Sequence, residues 1–136
     1  MTALLLDTGV LYALADADDA WHARCRYYVV RTRATLVVPV TVLPEVTYLL
    51  RDRLGSSQER AFVDALVRDP LRVETTTRSD YERCAALMEK YPAIGFVDAS
   101  VVAIAERLRL STIATTDRRH FGLIRPRHVA AFELVP

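Results

Sequence analysis

Four carboxylates in this chain stand where a merely solvated acid is not expected. Asp7 ends the apolar run Ala3-Leu4-Leu5-Leu6, and Asp117 ends the run Ser111-Thr112-Ile113-Ala114-Thr115-Thr116. Both stretches read as short strands. In an open α/β sheet, ligands sit outside the carboxyl ends of the strands, which is where these two acids fall. Glu45 lies at the edge of an apolar helical sector formed by Val42, Leu43, Val46, Leu49 and Leu50. Asp98 opens the most apolar helical stretch and shares a face with Val101, Val102 and Ala105, with Ser100 and Arg107 opposite. Each has a plain explanation when taken singly. Asp7 or Thr8 can cap a following helix, Asp98 can answer a helix dipole, and a glutamate can stand at the edge of a stripe. Taken together, four acids at one rim repel each other, and their pKa values rise unless something positive lies among them. No lysine or histidine is expected there. A hard divalent cation fits, and an all-oxygen donor set selects Mg²⁺ or Mn²⁺ over zinc. Such ions keep waters and recruit phosphates, which points to phosphodiester chemistry.

The elements that must carry these acids follow from periodicity and breakers. A short helix is expected over 9–15, followed by an acidic turn, Asp16 to Asp19, that caps a second helix with Trp21, Cys25, Tyr28 and Val29 inward. His22, in its first turn, has no ligand-like partner and reads as structural. Leu36-Val37-Val38 is a strand broken at Pro39, and Thr41 is expected to cap a helix running to Leu54, with Gly55 as its stop. Ser56 to Glu59 and Ser79 to Glu82 both match a capping box. The second opens a helix expected to bury Tyr81, Cys84, Ala85 and Met88, with Pro92 beyond its end. Leu71 to Glu74 and Ala131 to Leu134 read as edge strands. Strands alternating with helices predict a parallel α/β sheet covered on both faces, in one domain spanning residues 1–136.

A chain of 136 residues, 51% hydrophobic and 26% charged, supports one globular core. A net charge of +1 excludes a uniformly basic nucleic-acid binder but not a local patch. Only Lys90 among the basic residues is a lysine. Cys25 and Cys84 lie far apart in helical patterns and read as buried free thiols of a reducing compartment. No membrane-spanning run and no signal-like start occur, so a cytoplasmic location is expected.

These pieces resemble the PIN-domain family, and within it the VapC-type toxins of toxin–antitoxin pairs. The resemblance covers the whole chain. It rests on Leu5-Leu6-Asp7-Thr8, Leu43-Pro44-Glu45-Val46, Gly95-Phe96-Val97-Asp98-Ala99-Ser100 and Thr115-Thr116-Asp117-Arg118-Arg119-His120-Phe121, in that order. It implies a three-layer α/β/α sandwich and a Mg²⁺- or Mn²⁺-dependent ribonuclease acting on tRNA or another structured RNA. It also implies a homodimer and a cognate VapB-type antitoxin. Carried over by position, Asp7, Glu45, Asp98 and Asp117 are the metal ligands and catalytic acids, with Thr116 in support. One departure stands out: Gly9 replaces the Ser or Asn frequent there, which leaves Thr8 or water to orient Asp7.

Other readings fit less well. A phosphoacceptor receiver domain needs a lysine at a late strand end, and a haloacid-dehalogenase pattern needs Asp at position 9. No glycine-rich phosphate loop is present. The remaining alternative is a PIN-like scaffold that binds RNA or protein without turnover. Arg24, Arg26, Arg118 and Arg119 are candidates for phosphate contacts, although solvated surface arginines look the same in sequence.

Overall fold

A computed structural model describes residues 2–136. Five strands, β1 (Ala3–Leu6), β2 (Thr35–Pro39), β3 (Leu71–Glu74), β4 (Thr112–Ala114) and β5 (Glu133–Val135), form one sheet in the order β3-β2-β1-β4-β5. Every pairing is parallel. The chain steps outward from β1 through β2 to β3, then returns to the other side of β1 for β4. The strand order therefore reverses between β1 and β4, and the carboxyl ends of those two strands form the switch point at which open α/β sheets bind their ligands.

The helices are α1 (Thr8–Ala15), α2 (His22–Arg31), α3 (Leu43–Leu54), α4 (Ser56–Arg68), α5 (Arg78–Lys90), α6 (Phe96–Leu108) and α7 (Arg118–Leu123). Helix α1 packs on both α2 and α3, α3 packs on α4, and α5 pairs with α6. Right-handed crossovers running in opposite directions along the sheet place these two groups on opposite faces, which gives the expected sandwich. The centre is β1 together with α6. Leu4, Leu5 and Leu6 are buried, as is every residue from Ala99 to Ala105. A strand covered on both faces needs an uninterrupted apolar run, and β1 has one.

Several local expectations are corrected. Thr41 caps nothing; it sits in a 3-10 turn, Val40–Val42, and α3 begins at Leu43 behind Val42. Ser56 to Glu59 form no capping box, because Gly55 closes α3 at φ 100° and itself serves as the N-cap of α4. Only glycine takes that backbone region without strain. Glu59 instead accepts from Arg51 at 2.8 Å. The second box exists, shifted by two residues: Thr77 Oγ1 accepts from the Asp80 amide while Asp80 accepts from the Thr77 amide. The inward face of α5 shifts with it. Asp80, Cys84 and Leu87 are buried, whereas Tyr81 and Met88 are exposed. His22 is structural as expected, donating from Nδ1 to the Ala13 carbonyl at 2.7 Å. Both cysteines are free and buried. Among the described residues no helix is long and apolar enough to cross a membrane.

Candidate metal centre

Asp7 is held by the switch point itself. Its amide donates to the Ala114 carbonyl at 2.9 Å, so the first residue beyond β1 still keeps the register with β4. It occupies the N-cap position of α1 but makes no side-chain cap hydrogen bond. The capping explanation therefore fails for this acid. Its Oδ2 accepts from the buried Thr115 hydroxyl at 2.9 Å. Burial pushes its carboxyl up, the Thr8 backbone and the Thr115 hydroxyl pull it down, and the charges of Glu45 and Asp117 push it up again. The net result is a carboxyl above its ordinary value.

Asp98 enters from the first turn of α6, half-buried. Burial first, then the charges of Asp7 and Asp117, raise its carboxyl to about 6; His120 opposes this and Glu45 adds to it. Asp117 behaves differently from Asp7, although their sequence contexts match. It does cap a helix: Oδ1 accepts from the His120 amide at 3.1 Å and Oδ2 from His120 Nδ1–H at 2.7 Å. Its own amide donates to Thr115 Oγ1 at 2.9 Å. Thr115 thus receives the Asp117 amide and passes its own proton to Asp7, tying the two strand-end acids together.

Glu45, in the first turn of α3, is exposed and reaches the group through its charge on Asp7 and Asp98. The 3-10 turn that leads into α3, which carries Glu45, is pinned to α6, which carries Asp98. Ser100 donates to the Val97 carbonyl at 2.6 Å, so its single proton is used. The 2.6 Å contact between Thr41 and Ser100 is then a hydrogen bond donated by Thr41.

The four acids expected from the sequence act on one another through charge. Among the described residues, however, the side chains close enough to share one ion are Asp98, Asp117 and His120, without Asp7 or Glu45. The supporting residues differ from the expectation. Thr115, not Thr116, holds Asp7, and the buried Thr8 hydroxyl has no hydrogen-bond partner. Thr116 has a different relation to the site. A Cβ at Gly9 would lie 2.2 Å from Thr116 Oγ1, so this hydroxyl fills the space that any side chain at position 9 would need. The unusual glycine and Thr116 thus form one packing unit. His120 was missed, although a histidine three residues after a strand-end acid, on the helix that acid caps, was a readable signal. Ligand atoms of Asp98, Asp117 and His120 lie within 4.8 Å of one another.

Among the described residues no lysine or arginine forms an ion pair with any of the four acids. Burial first, and the charges of the neighbouring acids after it, hold the carboxyls of Asp7 and Asp98 above their ordinary values. A hard divalent cation with an oxygen-rich shell fits this donor set.

A parallel sheet with carboxylates gathered at its switch point defines an α/β domain with a candidate metal centre. Residues 4–125 match the family model described as "PIN domain". The chain is 33% identical over 135 residues to Ribonuclease VapC26 of Mycobacterium tuberculosis, covering 98% of this chain and all of that protein. The chain belongs to the PIN-domain family and is a homologue of VapC-type toxins. The fold is also that of Mycobacterium tuberculosis VapC20, described as a sarcin-ricin loop cleaving toxin. That structure has a TM-score of 0.77 and 22% identity, over 82% of this chain and 87% of that one. A DNA-bound VapBC structure from Salmonella typhimurium gives a TM-score of 0.70 and 17% identity over 98% and 97% of the two chains.

Proposed function

We propose that this chain is a metal-dependent endoribonuclease toxin in which Asp7, Glu45, Asp98 and Asp117 hold Mg²⁺ or Mn²⁺. The observation that carries the reading is the gathering of acids from four different elements at the switch point, where burial first, and then the charges of Asp7, Asp117 and Glu45, raise Asp98 to about 6. Whole-length identity to a protein named a ribonuclease supports the choice of RNA. When bound, the cation supplies a water nucleophile at neutral pH and stabilises charge on the leaving oxygen. The chain's own groups set the geometry. Thr115 orients Asp7 and fixes the Asp117 amide, and His120 orients Asp117. The Thr41–Ser100 bond ties the turn ahead of Glu45 to the helix of Asp98, which supports a shared ion for the two acids. Groups that orient metal ligands in this way commonly govern metal affinity by about 10–100-fold.

The test is cleavage of structured RNA, tRNA included, with Mg²⁺ or Mn²⁺ and with EDTA. The expected products carry a 5′-phosphate and a 3′-hydroxyl. Activity in EDTA, or a 2′,3′-cyclic phosphate, overturns the mechanism, since the RNA's own 2′-hydroxyl would then be the nucleophile.

A VapB-type antitoxin completes the reading. A basic side chain entering the acid cleft makes charge-assisted hydrogen bonds there. A groove of about 430 Å³, lined by Leu11, Leu14, Phe62, Ala65 and Leu71, takes the adjoining apolar segment. The exposed, stacked rings of Tyr81 and Phe96, with Met88, suit a homodimer contact. Sedimentation at tens of micromolar tests the dimer; a monodisperse monomer contradicts it.

A further inference from the structure

The acid cleft binds a cation and by itself repels an RNA backbone, so the strand must be held elsewhere. The outer face of α2 has the required chemistry. Residues 22–33 carry Arg24, Arg26, Arg31 and Arg33 and no acid, in a chain whose net charge is only +1. Arg24, Tyr27 and Arg31 are spaced i, i+3 and i+7, which aligns them along one side of the helix.

Their side chains are already arranged. The Arg24 guanidinium lies 4.0 Å from the Trp21 ring centre and that of Arg31 lies 3.7 Å from the Tyr27 ring. Tyr27 nevertheless remains 62% exposed and Val30 67%. Shallow depressions flank Tyr27 on both sides, one reaching Arg24 and Pro136, the other Arg26 and Val30. Flat cations and rings at a surface are what stacks unpaired bases, while free guanidinium N–H groups meet phosphates.

The face is also continuous with the cleft. Arg118, the residue after Asp117, donates to the Pro136 carbonyl. Pro136 lines the same depression as Arg24 and Tyr27. Asp117, beyond the end of β4, and the arginines of α2 are therefore linked through two residues, with the exposed Arg119 beside them.

We propose that the α2 face is the docking track for a single-stranded segment of the RNA substrate, leading into the acid cleft by way of Arg118 and Pro136. Arg24 and Arg31 contact phosphates, and Tyr27 with its stacked guanidinium supports a base. The inference rests on the ribonuclease reading for its substrate, but its test does not need turnover.

The probe is a fluorescent oligouridylate of about 12 nucleotides, titrated into the Asp98→Asn protein in EDTA over a range of salt. Arg24→Gln/Arg31→Gln is compared with Arg60→Gln/Arg68→Gln, an equal charge change among exposed residues of α4. The α2 pair is expected to lower the salt slope by about 1.4, at about 0.7 per lost phosphate contact, and the α4 pair to leave it unchanged. Tyr27→Ala is expected to weaken binding about ten-fold with the slope intact. In the otherwise wild-type, metal-loaded protein the α2 changes should raise KM for RNA and leave kcat alone.

Equal losses in the α2 and α4 variants would mean general charge attraction and overturn the proposal, as would no loss at α2. A changed oligomeric state or lost antitoxin binding in the α2 variant, with RNA binding intact, would assign the face to a protein partner instead. Loss of oligouridylate binding at α2 in a protein that never cleaves RNA would uphold the track and remove the ribonuclease reading.

Discussion

Asp80 and Glu106 are as deeply placed as Asp7 and Asp98, but their surroundings are opposite. Arg107 Nε reaches both oxygens of Asp80 at 3.1 and 3.2 Å, and Arg83 grips Glu106 with two hydrogen bonds of 2.7 and 3.0 Å. The Glu106 carboxyl is pushed up by burial, yet the Arg83 hydrogen bonds and the Arg127 amide pull it below its ordinary value. At the switch point, burial meets further acids and both Asp7 and Asp98 move up. Folding alone supplies partners for acids it must bury. Buried acids left without a cation therefore mark a place where the missing charge is to come from a ligand.

The contrast predicts that the two clusters fail in different ways. Asp98→Asn should lower RNA cleavage by about a thousand-fold, the several kcal/mol that a metal contributes, while the fold persists; steady-state kinetics and circular dichroism read the two together. Arg107→Leu should do the reverse. It leaves Asp80 buried without its cation and should cost about 3 kcal/mol in a urea melt, with kcat preserved in the folded fraction.

A pH series on the metal-free protein separates the clusters by sign. Asp98 has a raised folded-state pKa, so its contribution to stability is present below about pH 4 and lost as pH rises through about 6. Glu106, with a lowered value, contributes in the opposite direction, and stability is lost as pH falls through its folded pKa. Removing Asp98 as Asn should therefore flatten the loss of stability between about pH 4 and 6 in EDTA melts. An unchanged slope would mean that neither burial nor its neighbours' charge raises the Asp98 carboxyl.

Smaller effects should follow from the hydroxyls. Thr115→Val should cost about 1–2 kcal/mol and weaken Mn²⁺ affinity about 10–100-fold, measured by calorimetry, because both strand-end acids lose their tie. Gly9→Ala would ordinarily favour a helix by up to about 1 kcal/mol. Here the methyl meets Thr116 Oγ1, and the substitution should destabilise. In a Thr116→Ala background the same change should become stabilising. A thermal-melt cycle over the four proteins checks this reversal.

What could be read in the sequence follows from how local each cause is. Strand β1 and helix α6 were legible because a doubly covered element needs an unbroken apolar run. The acids were legible because their positions broke such runs. Ser56 was misread as a cap because the pattern does not reveal that Gly55 already serves both α3 and α4. Ser79 lost to Thr77 by two residues, and the buried stripe of α5 moved with it. Thr115 and Thr116 are adjacent hydroxyls that only the pleat of β4 and the start of α1 can tell apart. The Thr41–Ser100 bond joins residues 59 positions apart and has no local signature.

Comparing wild type with Asp98→Asn by thermal melting, in EDTA and in Mn²⁺, tests the four-acid site most directly. Relief of like-charge repulsion should make the variant melt a few degrees higher in EDTA, about 1 kcal/mol for a domain this size. Mn²⁺ should then raise the wild type by mass action and the variant much less. A variant that melts lower in EDTA and still responds fully to Mn²⁺ would show Asp98 to be a helix residue and no ligand, and would contradict the site at its centre.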